Sequence, residues 1–331
     1  MKKNAVFISC FFLCLMCLPA AAKERPPEWV TGWRKLYPHE TYVAQLETAP
    51  SAQEAQVAAA NAVARYLETN VSSVTDASKT MKNSGGRTDI QGEISQSVTI
   101  RTDVSLWALE YTQPWFSKKE KTWYCLAYFD RTKAWEQFLP DIRAKESVCL
   151  SFMEKAQNEA EPFRACAFYK DAWDSAQDFF SSLAYGRLIH PEADAVFSES
   201  KARALSVPSL LAEKKKRVSV RIVCAEDVDN IIRNAVAQKF EDAGFTVSEN
   251  GQCIAKADIQ LNAEGSDPVA VRPSLTVTVR GRTGEAVHSF QCRAQEKTAA
   301  YSLETAKRRA LPKLAEAVCG QFLQEYEGIR P

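Results

Sequence analysis

The sequence lacks most of what would mark an enzyme. It holds no GxSxG, P-loop, GxGxxG or HExxH motif. Nucleophile-elbow, phosphate-cradle, dinucleotide and zinc-protease chemistry therefore have no visible home. Gly85-Gly86 is too short to cradle a phosphate. Histidine is scarce: His39, His190 and His288 are all there is, and each stands alone in sequence. No local spacing points to a metal site. A basic excess is missing as well. Lys and Arg number 42 against 41 Asp and Glu. Beyond Ala22 no apolar run approaches the roughly 20 residues of a membrane-spanning helix.

What is present begins at the N-terminus. Met1-Lys2-Lys3 carries positive charge, and Ala5 to Leu18 is almost free of polar side chains. Pro19 breaks the run, and Ala20-Ala21-Ala22 offers small residues to a signal peptidase. The pattern is that of an export signal, expected to be cut after Ala22. Lipidation at Cys10, Cys14 or Cys17 is the alternative, but none of them follows a convincing lipobox. Removal of the leader takes away Lys2 and Lys3. It leaves 40 basic against 41 acidic side chains on 309 of the 331 residues, a formal charge of −1. A nucleic-acid partner would want a basic excess. The length suits two domains with ordinary cores.

Seven cysteines follow the leader: Cys125, Cys149, Cys166, Cys224, Cys253, Cys292 and Cys319. The number is odd, and no CxxC or zinc spacing occurs. Most sit among apolar neighbours and read as small buried hydrophobes. Cys149 and Cys166 are the candidate disulfide. If the chain reverses near Asn158 to Glu161, they lie at similar heights on antiparallel helices. Their Cα atoms must then approach within about 7 Å.

Periodicity divides the rest. The Pro- and Trp-rich lead-in over 23–50 begins extended at Pro26 to Val30, and Tyr42 to Leu46 reads as a short strand. Ser51 and Glu54 form a capping box ahead of an alanine-rich helix. Val98 to Ala108 alternates as a half-buried strand, and Thr122 to Phe129 is apolar on both faces, as a central strand should be. Residues 142 to 205 show helical runs only, broken at Glu161-Pro162, near Gly186, and at Pro191 and Pro208. The Lys214 to Arg217 run reads as a solvated linker. From Arg217 the order is strand, helix from Asp227 to Ala243, three or four strands, then a helix from about Ser302. The expectation is an α+β protein: two small antiparallel-sheet αβ domains joined by a helical connector. The divisions are 1–22 signal peptide, 23–140 first domain, 141–213 connector and 214–331 second domain.

Tryptophan is unevenly placed. Six of the seven lie in the first domain, at Trp29, Trp33, Trp107, Trp115, Trp123 and Trp135. Trp107, Trp123 and Trp135 fall within apolar patterns and read as core. Trp29, Trp33 and Trp115 are the candidate interaction surface, for a protein or a glycan partner. Packing as a lid on the first domain is the other reading of Trp29 and Trp33.

Residues 26–140 resemble the LPP-twenty lipoprotein family and the related N-terminal domain of the flagellar assembly protein T. The likeness rests on Pro27-Glu28-Trp29-Val30, Tyr37-Pro38, Tyr42-Val43-Ala44 and Ala58-Ala59-Ala60-Asn61-Ala62. Val71-Ser72-Ser73, Trp123-Tyr124-Cys125-Leu126-Ala127 and Asp130-Arg131 complete it. Two features depart from the pattern: Gln45-Leu46-Glu47 stands where a glycine is common, and no clear lipobox is present. The resemblance implies a periplasmic or outer-membrane role, beside the flagellum or in envelope assembly, and it carries over no catalytic residue. The expected function is thus a non-enzymatic envelope protein with no cofactor, no metal and no nucleic acid. Its expected partners are envelope proteins or peptidoglycan, and peripheral association with the outer membrane is compatible with both.

Overall fold

The computed structural model describes residues 25–83, 108–225, 227, 229–265 and 268–323. The leader with Cys10, Cys14 and Cys17, Trp107, and all but the last residue of the strand expected from Val98 to Ala108 lie outside the described residues. The fold is α+β, and the chain divides into two units. The first takes residues up to 66 with 105–130, and the second takes 67–104 with 131–331.

The first unit opens with α1 (Glu28–Leu36), where the lead-in was expected to be extended. The helix has physical support. Pro27 immediately precedes it with φ −51°, Glu28 lies in the first turn, and Arg34 and Lys35 lie in the last. These charges suit the helix dipole. Strand β1 (Tyr42–Ala49) follows, then α2 (Ala52–Asn83). The capping box forms as the spacing predicts. Glu54 N–H donates to Ser51 Oγ at 3.2 Å, and Ser51 N–H donates to Glu54 Oε2 at 3.1 Å. Ala55, Ala59, Ala62, Val63 and Leu67 bury one stripe of α2.

Strands β2 (Glu110–Tyr111), β3 (Trp115–Ser117) and β4 (Thr122–Asp130) complete the unit's sheet. β4 is central. It pairs with β1 from Tyr42↔Asp130 to Ala49↔Trp123, and with β2 and β3 on its other side, all antiparallel. Cys125, Leu126 and Ala127 at its middle are fully buried.

From Arg131 the second unit forms a helical hairpin, α3 (Arg131–Asn158) and α4 (Pro162–Ile189). The break falls where Glu161-Pro162 predicts it. The Glu161 carboxylate accepts from Arg164 N–H at 2.7 Å, and Pro162 opens the helix without losing a needed donor. α4 runs past Gly186 to Ile189. Gly186 serves contact instead of termination. A Cβ there would stand 2.8 Å from Ile142 Cδ1 and 3.2 Å from Trp135 Cζ3. The short α5 (Ala193–Val196) leads into α6 (Ser198–Arg217). Pro208 lies inside α6 and does not end it. Lys214 to Arg217 form its last turn, where cations meet the negative end of the dipole. Lys215 is not solvated as a linker would be; it is buried against Gly244 and the Phe245 ring.

A six-stranded sheet follows: β5 (Ser219–Cys224), β6 (Thr246–Val247), β7 (Cys253–Glu264), β8 (Val269–Arg280), β9 (Ala286–Arg293) and β10 (Thr298–Ala300). The order is β10-β8-β7-β5-β6, with β9 also on β8. Most pairs are antiparallel, but β5 runs parallel to both β6 and β7. Helices α7 (Ile231–Asp242) and α8 (Leu303–Gln321) cover one face. α7 starts four residues later than the sequence suggests. Asp227 lies ahead of it and caps it, accepting from Ile231 N–H at 2.9 Å and Arg233 N–H at 2.7 Å.

One large hydrophobic core joins the helices and the sheet of this unit, and a small second cluster gathers Val271, Ala300, Ala306 and Ala310. The large core runs from Ile142 on α3 and Phe179 on α4 through Leu211 on α6 to Val220, Val277 and Leu314. The segment expected as a connector therefore shares its core with the C-terminal sheet. A free connector would be polar all round, whereas α4 buries Phe163, Cys166, Ala172, Phe179 and Leu183.

The seven described cysteines are all free thiols. The expected Cys149–Cys166 pair is not formed. Cys149 Sγ donates to the carbonyl of Ala172 at 3.4 Å. Ala172 stands six residues past Cys166, about 9 Å further along the helix. The two thiols are out of step, beyond what a disulfide spans.

Candidate functional site

The period of two along β4 decides what its side chains can do. Tyr124, Leu126 and Tyr128 point to one face of the sheet, and Trp123, Cys125, Ala127 and Phe129 to the other. Register places Trp115 of β3 opposite Tyr124 and Glu110 of β2 opposite Tyr128. Ala44 of β1 also lies opposite Tyr128, so Tyr42, two residues earlier, shares that face.

Rings collect there. Trp115 and Tyr124 meet at 5.7 Å between centroids. Tyr37, just after α1, lies 4.4 Å from Tyr128 and 5.4 Å from Tyr42. Tyr42 and Tyr128 complete a three-ring cluster at 6.1 Å. All five rings are half-buried. Their geometry is tilted or edge-on, as the ring quadrupoles prefer.

Carboxylates tie down the phenols. Tyr128 donates to Glu110 Oε2 at 3.0 Å, and Tyr124 donates to Glu120 Oε2. Burial and the Glu110 hydrogen bond push the Tyr128 phenol well above its ordinary range. The Glu120 hydrogen bond, with burial behind it, raises that of Tyr124. Both stay protonated donors at neutral pH. The face thus offers apolar ring area with fixed polar edges.

The three candidate tryptophans do not form one patch. Trp115 belongs to this aromatic face. Trp29 and Trp33 sit four residues apart on α1, on either side of non-helical backbone at Gly32 (φ −120°, ψ 18°). Both are half-buried, and α1 packs against β1 and β4. Arg34 lies over the Trp33 ring, 4.7 Å from its centroid. Tyr37, Tyr42, Tyr124 and Tyr128 were missed in the sequence. The spacing of Tyr124 and Tyr128, four apart on a strand, is the signal that could have found them.

The histidines serve elsewhere. His39 pairs with Glu40 at 3.2 Å, His190 stacks on Trp135 at 4.6 Å, and His288 lies 4.3 Å from Phe290. Among the described residues no three of His, Cys, Asp and Glu stand together as metal ligands would. No helix among them is long and apolar enough to cross a membrane. Cys149, Cys166 and Cys253 are buried, and desolvation pushes their thiols up to about 11, 12 and 12. Such thiols make poor nucleophiles.

The chain matches no family model and no curated protein, so the LPP-twenty likeness stays a resemblance of motifs over 26–140. Solved structures similar to it include a minor lipoprotein from Acinetobacter baumannii, at 10% identity and a TM-score of 0.22. That match covers 31% of this chain and 84% of the other. A secreted protein from Helicobacter pylori matches at 13% identity and a TM-score of 0.35, over 86% of this chain and 97% of the other. Scores this low carry no argument.

Proposed function

We propose that this is an exported envelope protein that works by binding a protein partner, not by catalysis, and that the partner docks on the aromatic face of the first unit. The observation that carries the reading is the gathering of Trp115, Tyr124, Tyr128, Tyr42 and Tyr37 on one side of a small sheet. Large rings with fixed polar edges are the usual anchors of protein interfaces. The leader supports export to the periplasm or outer membrane. The resemblance of residues 26–140 to envelope families supports a structural or assembly role, with the flagellum as its narrowest form.

The test places a photo-crosslinking residue at Thr48, exposed on β1 opposite Tyr124 and so on the aromatic face, in cells that export the protein. A discrete protein adduct, lost when Trp115 and Tyr124 become alanine, is the expected result. Adducts that survive those changes would sink the reading. Retention on purified murein sacculi that depends on Trp115, without a protein adduct, would favour the glycan alternative.

A further inference from the structure

The sheet of the second unit has a covered face and an open one. Val220, Ile222, Ala255, Ala257, Leu275 and Val277 are buried in the core. The residues between them point the other way. Register sets these outward residues in rows across the strands. Gln260, Ser274 and Arg293 share one row; Asp258, Thr276 and Gln291 the next; Lys256, Thr278 and Ser289 a third. Successive rows stand about 6.8 Å apart along the strands.

A solvated face on a largely antiparallel sheet is ordinary. An excess of cations is not, because like charges repel one another. Among the described residues this face carries Arg221, Lys256, Arg272, Arg280, Arg293 and Lys297 against two carboxylates, Glu264 and Asp258, and Lys256 pairs with Asp258 at 2.6 Å. The processed chain as a whole is close to neutral, so the excess is local. At one corner Lys297 bonds Glu264. That bond, with the charges of Lys297, Arg272 and Arg293, lowers the Glu264 carboxyl. Several cations thus share one anion. Tyr301 follows β10 beside this corner and is 91% exposed.

We infer that the open face of the six-stranded sheet is a docking surface for a carboxylate-bearing polysaccharide strand. The cations match the carboxylates of such a strand. The Ser, Thr and Gln rows supply donors and acceptors for sugar hydroxyls at a regular repeat. Tyr301 offers an apolar ring face with a polar tip to a sugar at the corner. A lipid surface would call for apolar side chains to enter the acyl boundary, and the three central rows present hydroxyls, amides and charges instead.

The test uses the full processed chain with three probes: polygalacturonate, neutral dextran, and vesicles containing phosphatidylglycerol. Polygalacturonate should bind, more weakly as salt rises, and dextran should not. Arg293→Gln with Lys297→Gln should weaken binding by about tenfold or more, the scale of lost charge-assisted hydrogen bonds. The melting temperature should hold. Arg221→Gln, at an exposed position, should weaken binding too and covers the case in which the double variant misfolds. No retention by polygalacturonate, equal retention by dextran, binding to vesicles alone, or full affinity in folded variants would each overturn the inference.

Discussion

The Cys149 thiol donates to the carbonyl oxygen of Ala172, 3.4 Å away on the facing helix. The bond holds the sulfur in the α3–α4 interface and out of step with Cys166. Burial then keeps Cys149, Cys166 and Cys253 protonated at pH 8, while Cys319 is exposed. Iodoacetamide should therefore label Cys319 in the native protein and spare those three. In denaturant without reductant, all of them should label. A Cys149–Cys166 linked peptide in a non-reducing digest would contradict the geometry.

The same thiols fix a pH dependence. Their folded values, about 11, 12 and 12, lie above the unfolded thiol value near 8.5. The folded state holds these protons more tightly. The stabilisation is fully present below about pH 8.5 and is lost as pH rises through the folded values. Urea unfolding should show lower stability at pH 10.5 than at pH 8. Replacing all three by alanine should make that decline shallower. An equally steep decline in the variant would assign it to other groups.

Gly251 has no room for a side chain. A Cβ there would stand 2.4 Å from both Arg221 N and the carbonyl carbon of Val220. Backbone of a central strand cannot step aside as a side chain can. Gly251→Ala should cost about 1–3 kcal/mol, the range for overpacking. Gly320, with nothing within 4 Å of its Cβ position, is the control. Gly320→Ala should be neutral or stabilising by up to about 1 kcal/mol. Equal effects on the denaturation midpoint would show that the approach to β5 relaxes freely.

Asp227 caps α7 from four residues ahead, through Ile231 N–H and Arg233 N–H. Asn230, the residue next to the helix, has φ 55° and makes no side-chain cap. Asp227 thus satisfies two end donors alone, and it is buried. Asp227→Ala should destabilise the second unit by about 1–2 kcal/mol. Asp227→Asn should cost less, because it keeps one acceptor. Thermal melts of the two variants against the parent decide it.

Local chemistry was legible in the sequence where one residue fixes it. Ser51 with Glu54, Pro162 behind Glu161, and Gly244 at φ 89° each appear where their residue types predict. What was not legible depends on the partners of a segment. Pro208 looks like a helix breaker, yet it is buried inside α6 between Val207 and Leu211 of the shared core, and tertiary packing outweighs propensity. Lys215 sits in a basic run that reads as solvated, but the helical turn brings it onto Phe245. The aromatic face was half legible. Trp115 stood out as a tryptophan, while Tyr37 and Tyr42 join it only through the register of β1 on β4.

Trp29, Trp33 and Trp115 are all half-buried, and they part under mutation in partner capture. Full burial of a large apolar side chain is worth about 1.5–3 kcal/mol, so a half-buried ring contributes roughly half of that. Replacing both Trp29 and Trp33 by alanine should destabilise the first unit by about 2 kcal/mol, because α1 then loses much of its hold on β1 and β4. Trp115→Ala loses similar area together with the ring pair to Tyr124, which adds about 0.5–1.5 kcal/mol. Stability alone does not separate them. Partner capture does. Trp115 lies on the aromatic face against Tyr124, where Tyr37, the residue after α1, also meets Tyr128. Below the melting transition, the Trp29/Trp33 double variant should still give the Thr48 crosslink in the envelope. Trp115→Ala should lose it while folded, as circular dichroism would verify. If the double variant, well folded, loses the adduct and Trp115→Ala keeps it, the docking surface is α1, and the Tyr37–Tyr42–Tyr128 cluster is packing beneath it.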